Sequence, residues 1–109
     1  MNIQRSAKVF VRDSFAGTLS ETDEGYLFIY DTDYLSSASP SAVSLTMPLS
    51  EEPYRSKTIF PFFDGLIPEG WLLDIVSRNW KISENDRFGL LLVACHDAVG
   101  NVRIEEAEE

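Results

Sequence analysis

The chain has 109 residues, 18 of them acidic and 9 basic, for a formal charge of −9. That length provides one domain with a single core and no room for a second; 44% hydrophobic and 25% charged residues are globular proportions. A field of this sign repels phosphate backbones and anionic lipid, no run of about 18 apolar residues could span a bilayer, and Cys95 alone cannot form an internal bridge, so direct nucleic-acid and membrane binding are disfavoured and a reducing cytoplasm is the expected setting.

Val9 and Val11 alternate with Lys8, Phe10 and Arg12, which predicts a half-buried strand over Ala7–Arg12. Asp13 to Gly17 supplies turn chemistry, Thr18–Ser20 a short returning strand, and Glu21 to Gly25 a second polar turn. Tyr26–Tyr30, aromatic and β-branched, is the strongest strand in the chain. Residues 31–44 have no periodicity and are expected to be a loop, followed by a strand over Ala42–Met47 that Pro48 ends. Glu51 to Ser56 is expected to be a surface connection, and Thr58–Phe60 can add one more short strand.

Between Phe60 and Trp71 lie two prolines and two glycines, which neither an ordinary helix nor an ordinary strand would use. A stiff, apolar, bent connection is expected there. Leu72, Ile75, Val76 and, a turn on, Trp80 then come at helical spacing, which predicts a first helix over residues 70–79 with Leu72, Ile75 and Val76 as its buried arc. Residues 83–86 offer caps for a second, nearly buried helix over 87–95, in which Gly89 is unfavourable. Asn101–Ile104 alternates as a last strand, and residues 105–109 form an acidic tail or its frayed end. The order implies an α+β fold: a mainly antiparallel sheet, meandering in its first strands, with two helices of the C-terminal half packed on one face.

Catalytic constellations are thin. No GxxxxGK, GxGxxG or HExxH pattern occurs and no cysteine pair could hold zinc. His96 could pair with Cys95 or Asp97, but a cysteine in an apolar helix is usually an inert, buried thiol. Asp64 and Glu69 could be paired carboxylates, although a turn cap and a helix N-terminal charge account for them as well. No cofactor, metal or catalytic residue is expected, and the chain is not expected to be an enzyme.

Phe62-Phe63-Asp64-Gly65-Leu66-Ile67-Pro68-Glu69-Gly70 resembles the FFxNLLPEG signature of the N-terminal subdomain of HipA-type serine/threonine kinase toxins. The resemblance extends upstream to Val43–Leu49 and Gly17–Leu19. Downstream it takes in residues 86–91 and 96–102, so nearly the whole chain is covered. Gly65 stands where the signature usually has Asn, and Trp71 where a small or polar residue is common. A free-standing copy of this subdomain is similar to HipS, the small component of tripartite HipBST toxin–antitoxin systems. That likeness implies a HipT-type kinase toxin as partner, neutralised by this chain, with a HipB-type DNA-binding protein in a larger complex. The alternative it leaves open is a non-inhibitory module that completes a HipA-like kinase assembly.

Trp71 lies roughly 100° around the helix from Leu72, at the flank of the expected inward arc. It therefore either covers the edge of the core or anchors a partner. The partner-facing residues expected on this basis are Phe62, Phe63, Asp64, Leu66, Pro68, Glu69 and Trp71, with Phe62 and Phe63 split between core and surface.

Overall fold

Two left-handed residues close the first hairpin. The computed structural model describes residues 3–67, 70–94 and 102–107. In it, β1 (Ile3–Val11) and β2 (Ser14–Thr22) are joined by Arg12 and Asp13, at φ 50° and 66°, the arrangement of a two-residue type I′ turn. The turn is thus tighter than the expected Asp13–Gly17 segment, and Gly17 lies inside a strand. Its place there is steric: a Cβ would stand 2.5 Å from the Ile29 carbonyl oxygen and 2.9 Å from the Phe28 ring. A bulge at Val9/Phe10 leaves Ala16 out of register, and its carbonyl accepts from the Asp31 amide at 2.8 Å.

β3 (Gly25–Tyr30) completes the expected meander. Past it, the chain departs from the pattern of the sequence. Asp31 caps a one-turn helix, α1 (Thr32–Leu35), by accepting from the Tyr34 amide. The strand expected at Ala42–Met47 does not form; only a bridge joins Ser44 to Met47. The Tyr30 hydroxyl accepts from the Val43 amide at 3.1 Å and donates to the Met47 carbonyl, supplying the polar partners that a neighbouring strand would have given. The fourth strand is instead β4 (Tyr54–Ser56), paired with β3 in the stretch expected to be a surface connection, and Thr58–Phe60 is not a strand.

α2 (Pro61–Asp64), α3 (Gly70–Trp80), α4 (Arg87–Ala94) and β5 (Val102–Glu106) follow. The sheet is antiparallel throughout, in the order β4-β3-β2-β1-β5, so the last strand returns beside the first. Glu105 and Glu106 belong to β5 rather than to a tail; Glu108 and Glu109 lie outside the described residues. Ala7, Val9, Leu19, Phe28 and Ile104 carry one face of the sheet into a core completed by Phe63, Phe88, Leu90 and Leu91. This is the expected α+β architecture. The opposite face carries exposed Lys8 and Ile29 in one cross-strand row.

Candidate functional site

The segment around the FF signature is built on a single helical turn. Pro61 occupies the first position of α2, where its missing amide costs nothing, and Phe60 precedes it in extended backbone at ψ 136°. The Asp64 amide donates to the Phe60 carbonyl at 3.0 Å and Gly65 to Pro61 at 2.9 Å, so proline starts a helix that the sequence pattern did not anticipate. Leu66 and Ile67 continue as turns onto the Phe63 and Asp64 carbonyls. Gly65 has φ −66°, an ordinary value, so its glycine character is not needed for a special backbone angle.

The two phenylalanines divide as expected, and the structure settles the direction. Phe63 is completely buried, its ring 5.7 Å from that of Phe28 and 6.3 Å from that of Phe60. It backs the site and has no surface of its own to offer a partner. Phe62 packs edge-on against Phe63 at 5.1 Å and remains half-exposed. Leu66 is half-buried against the core.

Asp64 accepts from Arg87 Nε at 2.8 Å, an ion pair that ties α2 to the first residue of α4. Its carboxylate is thus already engaged within the chain. Arg87 was not foreseen as part of the site, because nothing in a separation of 23 residues announces the pair. Pro68 and Glu69 lie outside the described residues. Trp71 is in the first turn of α3, and its side chain likewise lies outside them. The residues around Cys95, His96 and Asp97 are outside as well.

Of the arc that the spacing of α3 predicts, the side chains of Leu72 and Val76 lie outside the described residues. Ile75 is 41% and Trp80 62% exposed, whereas Leu73 packs against the core and the Ser77 hydroxyl donates to the Ile82 carbonyl. Leu73 and Ser77 are half-buried, and the helix packs against α4.

Beside Phe62 opens a depression of about 310 Å³, walled by Met47, Tyr54, Phe60 and Pro61. At Asp86, one residue before Arg87, Arg5 of β1 fastens the start of α4 to the sheet. Its guanidinium binds Glu21 at 2.7 Å and Asp86 at 2.7 Å and lies over the Phe88 ring at 5.1 Å. Asp86 caps α4 by accepting from the Gly89 amide at 3.1 Å. The hydrogen bond from Arg5 holds the Asp86 carboxyl below the usual range, with partial burial opposing and the Gly89 amide assisting. Arg5 is in turn held charged, first by Glu21 and then by Asp86. Among the described residues, no three or more His, Cys, Asp and Glu side chains come together to hold a metal ion, and no helix is long and apolar enough to cross a membrane.

The geometry is therefore a rigid, partly apolar turn on a small sheet, with polar groups that serve structure. Known proteins resemble this chain over nearly its whole length. An uncharacterised protein of Haemophilus influenzae (strain ATCC 51907 / DSM 11121 / KW20 / Rd) is 36% identical over 108 residues, spanning 99% of this chain and 98% of that protein. A solved structure of the N-terminal domain of HipA toxin superposes with a TM-score of 0.75 at 33% identity, covering 100% of this chain and 98% of that one. The family described as the HipA N-terminal domain matches residues 7–105, and the chain belongs to that family.

Proposed function

We propose that this HipS-like domain is the antitoxin component of a tripartite toxin–antitoxin system, binding and silencing a HipT-type serine/threonine kinase toxin without covalent chemistry. The observation that carries this reading is the pair of full-length likenesses: to a HipA toxin's N-terminal domain, and to a Haemophilus influenzae protein consisting of little beyond this domain. A domain of the toxin's own kind is shaped to sit on a HipA-type kinase. Supplied separately, it can occlude what it sits on.

The docking surface in this proposal is the Phe62–Trp71 segment, placed at or near the kinase active site. Phe62 and Leu66 supply apolar contact on a turn that Phe63 holds from behind. Glu69, and Asp64 to the extent that Arg87 shares it, face cationic groups that otherwise handle phosphate. Trp71 is the anchor, since a tryptophan beside a proline-stiffened turn loses little entropy on binding. The chain itself performs no reaction and works in the cytoplasm, and a HipB-type DNA-binding protein joins the complex through the kinase.

The test is co-purification with the product of the neighbouring gene, followed by an autophosphorylation assay of that product with and without this chain. Trp71→Ala is expected to keep the circular dichroism of the folded domain and to lose about 2 kcal/mol of binding, with loss of growth rescue. Normal binding by the folded variant would refute the anchor. A second reading, a non-inhibitory module that completes a HipA-like kinase, is favoured by the match to a domain of a toxin. Binding without inhibition would select it.

A further inference from the structure

The turn that carries Phe62 is held to the molecule along one line. Phe60, Phe63 and Ile67 are buried, three to four residues apart, so the apolar holds of the segment lie along one side of it. α2 itself, at four residues, is too short to keep its place unaided. A row of apolar contacts fixes depth and leaves roll about the row, because burial is non-directional. How far Phe62 and Leu66 stand out depends on that roll.

One contact lies off the row. Asp64 accepts from Arg87 Nε at 2.8 Å, and a directional, charge-assisted hydrogen bond resists the rotation that apolar packing permits. Arg87 is well placed to be the fixed end. The residue before it, Asp86, is clasped by Arg5 of β1, which also holds Glu21 of β2, so the sheet, the start of α4 and the turn are joined in sequence. The stability of α4 does not account for Arg87. It is the first residue of that helix, where a cation meets the positive end of the dipole. A pair whose side chains are 31% and 43% exposed also contributes little to folding.

We propose that Arg87 is a positioning residue for kinase binding: acting through Asp64, it sets the roll of the Phe62 turn, and so the fraction of molecules that present Phe62 and Leu66 in the binding orientation. Arg87 touches no partner itself. This rests on the kinase-binding reading above, and within that reading the larger share of the Asp64 carboxylate goes to Arg87.

The test measures affinity for the product of the neighbouring gene, using the full chain, Arg87→Met, Asp64→Asn, and the exchanged pair Asp64→Arg with Arg87→Asp. Either single substitution is expected to weaken binding about fivefold, and the exchanged pair to recover most of the loss. Unfolding midpoints should stay within about 3 °C of the unmodified chain. In Arg87→Met, the Asp64 and Gly65 amides, which donate to the Phe60 and Pro61 carbonyls, should exchange with deuterium faster while those of β1 and β2 do not change. A carboxylate meant for the partner predicts the opposite sign, since Arg87→Met would release it and leave binding intact or stronger. That result would overturn the positioning role and leave the kinase-binding reading standing. Unaltered exchange in α2, an exchanged pair no better than the single variants, or a weakening matched by loss of folded protein would do the same. No binding by the unmodified chain would remove both.

Discussion

Gly89 shows how one residue can look wrong in a sequence and be required by the fold. In a helix interior glycine costs about 1 kcal/mol relative to alanine. Here a Cβ would stand 2.3 Å from Asp86 Oδ2 and 3.3 Å from Arg5 Nη1, inside the ion pair that pins α4 to the sheet. Gly89→Ala is therefore expected to destabilise, by about 1–2 kcal/mol in urea unfolding, because displacing a doubly held carboxylate outweighs the gain in helix propensity. Asp86 has two separable roles. Asp86→Asn keeps a cap and loses the charge, and should cost about 0.5–1 kcal/mol at pH 7, discounted because both partners are about a third exposed. Asp86→Ala loses the cap too, for about 1 kcal/mol more. The folded-state pKa of Asp86 is depressed, so the unfolded chain takes up its proton first as pH falls. Its stabilisation is complete above the unfolded value near pH 4 and disappears as pH drops through the folded value. Unfolding midpoints at pH 7 and about pH 3 should accordingly differ less for Asp86→Asn than for the unmodified chain.

At the scale of elements, α2 is a four-residue helix too short to be stable alone, held by what Phe63 buries. Phe63→Ala should cost about 3–5 kcal/mol, the usual loss for a fully enclosed phenylalanine. Phe62→Ala, removing a half-exposed ring, should cost about 1 kcal/mol and leave the fold intact. Thermal denaturation of the two variants distinguishes a supporting residue from a presented one, and equal costs would contradict this division of the pair. The Ser44–Met47 turn follows the same logic. It is ordered by a tyrosine hydroxyl from β3, which burial makes harder to ionise and which therefore remains a donor.

For the molecule as a whole, the sheet gives one face to the core and leaves two edges, with the start of α4 fastened to the sheet by Arg5–Asp86 and to α2 by Asp64–Arg87. The excess of acidic residues sets how such a body meets a basic partner. Association with the proposed kinase partner should slow about tenfold between low salt and about 0.5 M, with a smaller change in dissociation, as stopped-flow measurement would show. Salt-independent association would mean that the charge serves solubility alone.

Much of this fold was legible in one dimension. Alternation placed β1 and β5, aromatic and β-branched residues placed β3, helical spacing placed α3, capping residues before an apolar run placed α4, and the signature around Phe62 pointed to the family, because those signals come from local backbone period and from short-range chemistry. Tertiary structure decided the rest. It chose Tyr54–Ser56 over Ala42–Met47 as the fourth strand, since a hydroxyl contributed from Tyr30 satisfied the polar backbone that would otherwise have sought a neighbour. It left Ile75 and Trp80 of α3 in water and packed Leu73 against the core, a division that depends on what the helix meets and not on its own period. It paired Asp64 with Arg87 and Arg5 with Asp86 across separations that carry no pattern. Periodicity reports what a segment would bury against a flat partner; which partner arrives, and at what angle, is a property of the assembled chain.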